Sequence, residues 1–199
     1  EYPFEKVGYV LTPIGSMEHQ TMISMSYKLI RYSQDTVNST AAHELAHMWF
    51  GDCVTPYDFR DAWLNESFAT FCEALWDERL FGYDEYLKQL DFFRAYYISN
   101  NYGSKMEGVF PLYDFPREKP SSNYPVTIYY KGAVVVGMLR EYLGDSLFFG
   151  GLKKYLDRRK YSNANTDSLK AILEEYSNKD LTGFFDQWVY RKGWVKLDV

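Results

Sequence analysis

Two histidines and two glutamates carry the most chemistry in this chain: His43, Glu44, His47 and Glu66. Residues four apart lie on one face of an α-helix, so His43 and His47 can both direct a ring nitrogen at one ion. Glu44 is offset by one residue and leans over the open side of that ion, where it can take a proton from water. The pattern predicts a zinc hydrolase, and it uses two of the three histidines in the chain.

The helix that must hold this pair is predicted over residues 38–50. Asn38, Ser39 and Thr40 can cap its first turn, and Gly51 can end it. Both histidines would then lie in the middle of the helix, where their positions are best fixed.

A second helix, from Asp61 to Gly82, is predicted to supply Glu66 as the third zinc ligand. Three protein ligands and one open position are typical of catalytic zinc, whereas structural zinc has four protein ligands. The alternative is a chance His-Glu-x-x-His on a solvated helix. That alternative does not account for the pair Asn65-Glu66 inside an apolar helix.

Residues 43–52 read His-Glu-Leu-Ala-His-Met-Trp-Phe-Gly-Asp, and residues 63–66 read Trp-Leu-Asn-Glu. They resemble the patterns of the aminopeptidase N family of gluzincins, His-Glu-Leu-Ala-His-Gln-Trp-Phe-Gly-Asn/Asp and Trp-Leu-Asn-Glu-Gly-Phe-Ala. This family includes the leukotriene hydrolases. The resemblance is specific over residues 41–73 and looser over the rest of the chain. It implies a thermolysin-like zincin domain of the α+β class that holds one Zn²⁺ ion, with a β-rich domain before it and further domains after it.

A second resemblance lies upstream, in the segment Gly15, Ser16, Met17, Glu18 and His19. It is similar to the family's exopeptidase motif, Gly-x-Met-Glu-Asn, whose glutamate binds the free α-amino group of the substrate. A fixed carboxylate near the metal would reward a substrate ammonium and so measure one residue from the N-terminus. His19 replaces the usual asparagine, and we interpret it as an ordinary loop or strand residue. The alternative for Glu18 is a surface carboxylate.

A third resemblance is found in residues 127–133, Thr-Ile-Tyr-Tyr-Lys-Gly-Ala. They are similar to the family segment Tyr-x-Lys-Gly, whose tyrosine donates a hydrogen bond to the tetrahedral intermediate. The spacing from Lys131 and Gly132 assigns this role to Tyr129 and not to Tyr130. A phenol is neutral at working pH and can donate to an oxyanion that exists only in the transition state. The alternative is that Tyr129 is one of nineteen ordinary tyrosines.

Composition narrows the class of protein. The chain has 199 residues, 46% of them hydrophobic and 19% aromatic, which is enough for one folded domain and argues against disorder. No apolar run approaches eighteen residues, so the sequence predicts no membrane span. A net charge of −5 gives no reason to expect a nucleic-acid partner. We expect residues 1–199 to be a single catalytic domain cut from a longer multidomain protein. Cys53 and Cys72 could pair, but two inert thiols fit the pattern better.

Strands are predicted over residues 7–11 and 21–26, ahead of the two zinc helices. Further helices are predicted after them, with a long proline-rich and glycine-rich loop over residues 100–125. Those helices are expected over residues 84–99, 127–142, 145–160, 166–177 and 181–191. Glu73, two turns after Glu66, is the predicted carboxylate partner of a zinc histidine. Asp52 and Asp61 are weaker candidates, because both can simply cap or solvate helix ends.

These observations predict a zinc-dependent aminopeptidase that hydrolyses the N-terminal peptide bond of peptides. Its partners would be peptides with a free N-terminus and other domains of the same protein. Three alternatives stay open. The first is a related gluzincin with endopeptidase or epoxide hydrolase activity. The second is a catalytically silent zinc-binding relative, and the third is a fragment whose zinc only supports folding.

Overall fold

The N-terminal part of the chain forms a small sheet. The computed structural model describes residues 1–31, 34–99, 107–116 and 125–194. Strands β1 (Tyr9–Thr12) and β2 (Ile23–Ser26) pair in parallel, with Tyr9 opposite Ile23. The connection between them folds back so that Met17 pairs antiparallel with Ser24. This arrangement places the predicted amine-binding segment along one side of β2.

The rest of the described chain is mostly helical, and two short strands, β3 and β4, form a second parallel sheet. In chain order the elements after β2 are α1 (Gln34–Ala46), β3 (Val54–Pro56), α2 (Trp63–Phe81), α3 (Tyr83–Ser99), α4 (Gly132–Leu143), α5 (Asp145–Arg159), β4 (Ser162–Ala164), α6 (Thr166–Ser177) and α7 (Thr182–Phe185). Short 3₁₀ turns cover Tyr27–Arg31 and Phe59–Asp61. Wide π-helical turns, in which hydrogen bonds join residues five apart, cover Thr127–Lys131 and Asp186–Tyr190. The expectation of a small N-terminal sheet followed by a mainly helical part is therefore confirmed.

Helix α2 is the centre of the larger core and packs against α1, α3 and α4. Its Trp63, Phe68 and Phe71 are each 1% exposed, and Phe71 meets Phe148 of α5 edge to face. Burying aromatic rings of this size supplies a large share of the hydrophobic stabilisation of such a core. A smaller core joins Ile23 of β2 to the segment that follows α1. The helix that carries Glu66 is thus held on three sides.

The pairing of β3 with β4 was not predicted from the sequence. Val54 lies opposite Ser162, and Asp61 accepts hydrogen bonds from the backbone N–H and the hydroxyl of Thr166, at 2.8 and 2.7 Å. Trp63 donates its indole N–H to the same hydroxyl at 2.9 Å. Each strand has only three residues, too few for an alternating pattern to show. Asp61 therefore supports the start of α6 and is not a partner of the metal site.

Helix α1 departs from its predicted bounds. It ends at Ala46, so His47 lies in the turn that follows, although the His47 N–H still reaches the His43 carbonyl at 3.4 Å. Gly51 ends this turn with a left-handed φ of 137°, which glycine adopts at little cost. The prediction that both histidines lie in mid-helix was wrong, because the chain must turn towards β3 directly after His47.

Three further expectations concern features outside the site. Much of the predicted loop over residues 100–125 lies outside the described residues. Cys53 and Cys72 are both free thiols, and burial raises the pKa of Cys72 to about 12. Among the described residues, none of the helices is both long and apolar enough to cross a membrane.

Candidate metal centre

Three side chains converge where α1 and its following turn meet the first turn of α2. The Nε2 atoms of His43 and His47 each lie 3.4 Å from Oε2 of Glu66. The two imidazole rings meet edge to face, with centroids 4.8 Å apart. Because all three elements belong to the packed core around α2, these donor atoms are fixed before any ligand arrives.

The spacing of these donors fits a zinc ion. Bonds of about 2.0–2.2 Å in a tetrahedron place ligand atoms about 3.3–3.6 Å apart, and both observed nitrogen–oxygen distances are 3.4 Å. Oε2 of Glu66 is buried and accepts no well-formed hydrogen bond from the described residues. A buried carboxylate oxygen without a donor is costly unless a cation satisfies it. Two imidazole nitrogens and one carboxylate are the donor set of catalytic zinc.

The outer nitrogen of His43 is held by a carboxylate. Nδ1 of His43 lies 2.8 Å from Oε1 of Glu73, and Ser39 donates its hydroxyl to Oε2 of Glu73 at 2.5 Å. This contact assigns the proton of His43 to Nδ1 and leaves Nε2 as the metal-facing atom. Glu73 thus lies where the sequence placed a partner for a zinc histidine.

The outer nitrogen of His47 has two acceptors that the sequence did not indicate. Its Nδ1 lies 2.5 Å from Oδ1 of Asn65 and 3.1 Å from the carbonyl oxygen of Phe50. A Cβ on Gly51 would lie 2.2 Å from that same Oδ1, so glycine is required for the approach of Asn65. The one available signal for Asn65 was its position directly before Glu66. Asp52, the other candidate, holds neither histidine.

The electrostatics of the cluster favour positive charge. Burial opposes the imidazolium form of His43, but the carboxylates of Glu66 and Glu73 outweigh it and raise the pKa of His43 to about 10. Burial alone would raise the pKa of Glu66, but the neighbouring imidazoles outweigh it and lower that pKa to about 2. A site that retains a proton this strongly is one in which a cation is well stabilised.

Glu44 lies beside the cluster and does not share its hydrogen bonds. It is 7% exposed, and burial raises its pKa to about 7 despite the opposing charges of His43 and His47. One carboxylate oxygen of Glu44, one of Glu18 and a ring nitrogen of His47 lie within 4.8 Å of one another. The structure therefore brings the carboxylates of Glu44 and Glu18 together at the edge of the metal site.

The predicted amine-binding segment is fixed by β2 and by α2. Met17 exchanges backbone hydrogen bonds of 3.0 Å with Ser24, and Ser16 accepts the backbone N–H of Ser26 at 3.2 Å. Oε1 of Glu18 accepts the side-chain N–H of Asn65 at 3.3 Å. Asn65 thus contacts both Glu18 and His47. His19 points outward, with Nδ1 3.0 Å from the hydroxyl of Ser24, and takes no part in the cluster.

Tyr129 lies beside the metal site, on the wide turn Thr127–Lys131. Its ring lies parallel to that of His43, with centroids 5.8 Å apart and planes 5° apart. Two cavities flank it. The first, of about 970 Å³, is lined by Gly15, Glu44 and Glu73 among others. The second, of about 530 Å³, is lined by the polar side chains of Asn65 and Glu66, among others, and by apolar side chains that include Phe59, Phe115 and Ile128.

The sequence of the chain is similar to those of known peptidases. The model of the Peptidase family M1 domain matches residues 1–188. The chain is 35% identical over 163 residues to Aminopeptidase N of Lactococcus lactis subsp. cremoris, and the matched region covers 81% of this chain and 19% of that protein. It is also 28% identical to Aminopeptidase M1-D of Oryza sativa subsp. japonica, and here the matched region covers 100% of this chain and 24% of the relative.

Solved structures agree at the level of the fold. An M1 zinc metallopeptidase from Deinococcus radiodurans, bound to a Tyr-Ser-Ala substrate, superposes with a TM-score of 0.79 at 26% identity, covering 99% of this chain and 41% of that one. Yeast LTA4 hydrolase superposes with a TM-score of 0.84 at 20% identity, covering 100% of this chain and 34% of that one. The chain spans about a quarter or less of the curated relatives named above. With a family match over almost its whole length, the chain belongs to peptidase family M1.

Proposed function

We propose that this chain is the catalytic domain of a larger zinc aminopeptidase that removes the first residue of a peptide. The observation that carries the proposal is the position of Glu18, whose carboxylate lies within 4.8 Å of the donor atoms of Glu44 and His47. A carboxylate this close to the metal site favours the binding of a substrate whose ammonium lies one residue from the scissile bond.

His43, His47 and Glu66 would hold the zinc ion, and Glu73 and Asn65 would orient the two imidazoles. When bound, the zinc would act as a Lewis acid that polarises the scissile carbonyl and acidifies a water molecule. The rest of the chemistry belongs to the side chains that surround it.

Glu44 is the proposed general base. Its burial favours the protonated form, so it can accept the proton of the attacking water and then deliver it to the leaving amine. Tyr129, whose ring stacks on that of His43, would donate a hydrogen bond from its phenol to the oxyanion as the carbonyl carbon becomes tetrahedral. In one transition state, Glu44 would thus take up the proton and Tyr129 would stabilise the negative charge on oxygen.

Glu18 would anchor the α-ammonium, and the backbone of Gly15 and Ser16 would hold the peptide beside it, because the backbone N–H and carbonyl of Met17 are already bonded to Ser24. Burial, together with the nearby charge of Glu18, raises the pKa of Asp52 to about 6. We infer that the 530 Å³ cavity next to Asn65 receives the first side chain and that the larger cavity receives the residues after the cleaved bond.

The proposal is tested with the Glu44→Gln variant of the purified protein. Glutamine keeps the size of the side chain but cannot accept the proton, so turnover of an aminoacyl chromophore should fall by about 10²–10⁴-fold. Zinc content, measured by elemental analysis, should stay at the wild-type level. Near-wild-type turnover in the variant would remove Glu44 from this role.

The substrate class is tested by comparing a free peptide with its N-acetylated form on the wild-type protein. An aminopeptidase that uses Glu18 as its anchor hydrolyses only the free form. Equal rates on both would indicate an endopeptidase, and an absence of turnover on both would indicate a zinc-binding relative without peptidase activity.

A further inference from the structure

Ser67 joins the helix of Glu66 to the segment of Tyr129. It is the residue directly after Glu66 on α2, and its side chain is fully buried. Its hydroxyl donates to the carbonyl oxygen of Ile128 at 2.5 Å, across 61 positions of the sequence. Ile128 directly precedes Tyr129. One hydrogen bond therefore connects the residue that follows Glu66 to the residue that precedes Tyr129.

The wide turn explains why a side-chain donor is needed there. In an α-helix the N–H of Gly132 would bond to the carbonyl of Ile128, four residues earlier. In the turn Thr127–Lys131 that N–H is directed to the carbonyls of Thr127 and Tyr129 instead. Ile128 is 4% exposed, so water cannot readily serve its carbonyl. The hydroxyl of Ser67 supplies a donor that the local helix geometry does not.

The two segments also lie unusually close together. A Cβ on Gly132 would lie 1.8 Å from Oγ of Ser67 and 2.6 Å from its Cβ, but 3.5 Å from its Cα. Glycine at 132 is thus what admits the serine side chain. The family pattern has glycine, which lacks this hydroxyl, where this chain has Ser67.

We propose that Ser67 is a positioning residue that fixes the Tyr129 ring in its place against the His43 ring, beside the metal site. This inference rests on the proposed function for its kinetic consequence. A phenol that serves only the transition state must be placed to a fraction of an ångström, since a shift of about 1 Å can cost a hundredfold in rate. The Ser67 hydroxyl fixes the backbone one residue from that phenol.

Two variants separate the hydrogen bond from the packing. Ser67→Ala removes the donor and leaves the Ile128 carbonyl unserved. The double variant Ser67→Gly with Gly132→Ala moves the Cβ across the interface, where 3.5 Å to the Cα of residue 67 is an ordinary contact. It keeps the close packing and still lacks the hydroxyl. The matched control is Thr70→Val, because Thr70 is equally buried on α2 and its hydroxyl has no hydrogen-bond partner among the described residues.

In the zinc-loaded protein, we expect both Ser67 variants to lower kcat about tenfold with KM and zinc content unchanged. Affinity for a phosphonate mimic of the tetrahedral species should fall by the same factor, while affinity for a free amino acid stays constant. Thr70→Val should change neither. A kcat unchanged in both Ser67 variants, or lowered equally by Thr70→Val, would overturn the inference.

A readout without turnover keeps the two proposals distinguishable. With 3-fluorotyrosine at position 129, the ¹⁹F resonance should shift or broaden in both Ser67 variants and stay in place in the Thr70 variant. An unmoved resonance overturns the positioning role whatever the activity. Failure of the wild-type protein to cleave peptides would overturn the proposed function, and the ¹⁹F spectrum would still decide the role of Ser67.

Discussion

Removing the carboxylate of Glu73 should weaken zinc binding without touching a ligand atom. Glu73 holds Nδ1 of His43 at 2.8 Å. Because the His43 side chain is only 12% exposed, water can replace this acceptor only in part. Outer partners of this kind contribute 10- to 100-fold to metal affinity, or about 1.4–2.7 kcal/mol. Glu73→Gln keeps an acceptor oxygen and should cost about tenfold, whereas Glu73→Ala should cost about a hundredfold.

The assay is a competition titration of the metal-free protein against a chromophoric zinc chelator. The control is Asp77→Asn, which removes a carboxylate one helical turn further along α2 in the same cavity. It should change the zinc dissociation constant by less than about threefold, because Glu73 and not Asp77 holds Nδ1 of His43. Equal dissociation constants for wild type and both Glu73 variants would refute the reasoning. So would a loss in Asp77→Asn as large as that in Glu73→Ala.

Two further predictions concern stability. Gly51→Ala forces a side chain into a left-handed turn and against the amide of Asn65, so the free energy of unfolding, measured in urea, should fall by about 1–3 kcal/mol. The control is Gly183→Ala, which has open space around it and should be near neutral. Equal effects of the two variants would contradict this account. Arg140→Met leaves the carboxylates of Glu78 and Asp145 without the guanidinium that they share, and should lower the free energy of unfolding by about 2–3 kcal/mol. The control is Lys153→Met, which breaks an exposed ion pair and should lower it by less than about 1 kcal/mol. The same unfolding curves test it, and a loss in Lys153→Met that matches Arg140→Met would show that burial is not the cause.

The parts of the site that repeat along a helix could be predicted from the sequence. The spacing of His43 and His47 and the two turns from Glu66 to Glu73 are helical periods, and Glu66 itself was indicated by the pair Asn65-Glu66 on the second predicted helix. The structure brings His43, His47, Glu66 and Glu73 together. The bounds of α2 and α5 differ from the predicted ones by no more than two residues for the same reason.

The parts that depend on distant contacts could not be predicted. Asn65 meets His47 because the chain turns at Gly51, and no period in the sequence records that turn. The helix predicted over residues 127–142 begins with a wide turn, and nothing in its residue types distinguishes that turn from an α-helix. The hydrogen bond from Ser67 to Ile128 likewise appears only once α2 and α4 are packed together.

The small sheet of β3 and β4 has a consequence for the order in which the protein matures. The three proposed metal donors lie within residues 43–66 and leave the ribosome before Thr166, to which the segment between them is anchored through Asp61, 105 positions earlier. A nascent chain therefore exposes its histidines before the scaffold that aligns them exists. Tight capture of the ion should consequently wait until residues 162–166 have been made, and truncation before residue 162 should leave a polypeptide that binds zinc loosely and exchanges it quickly.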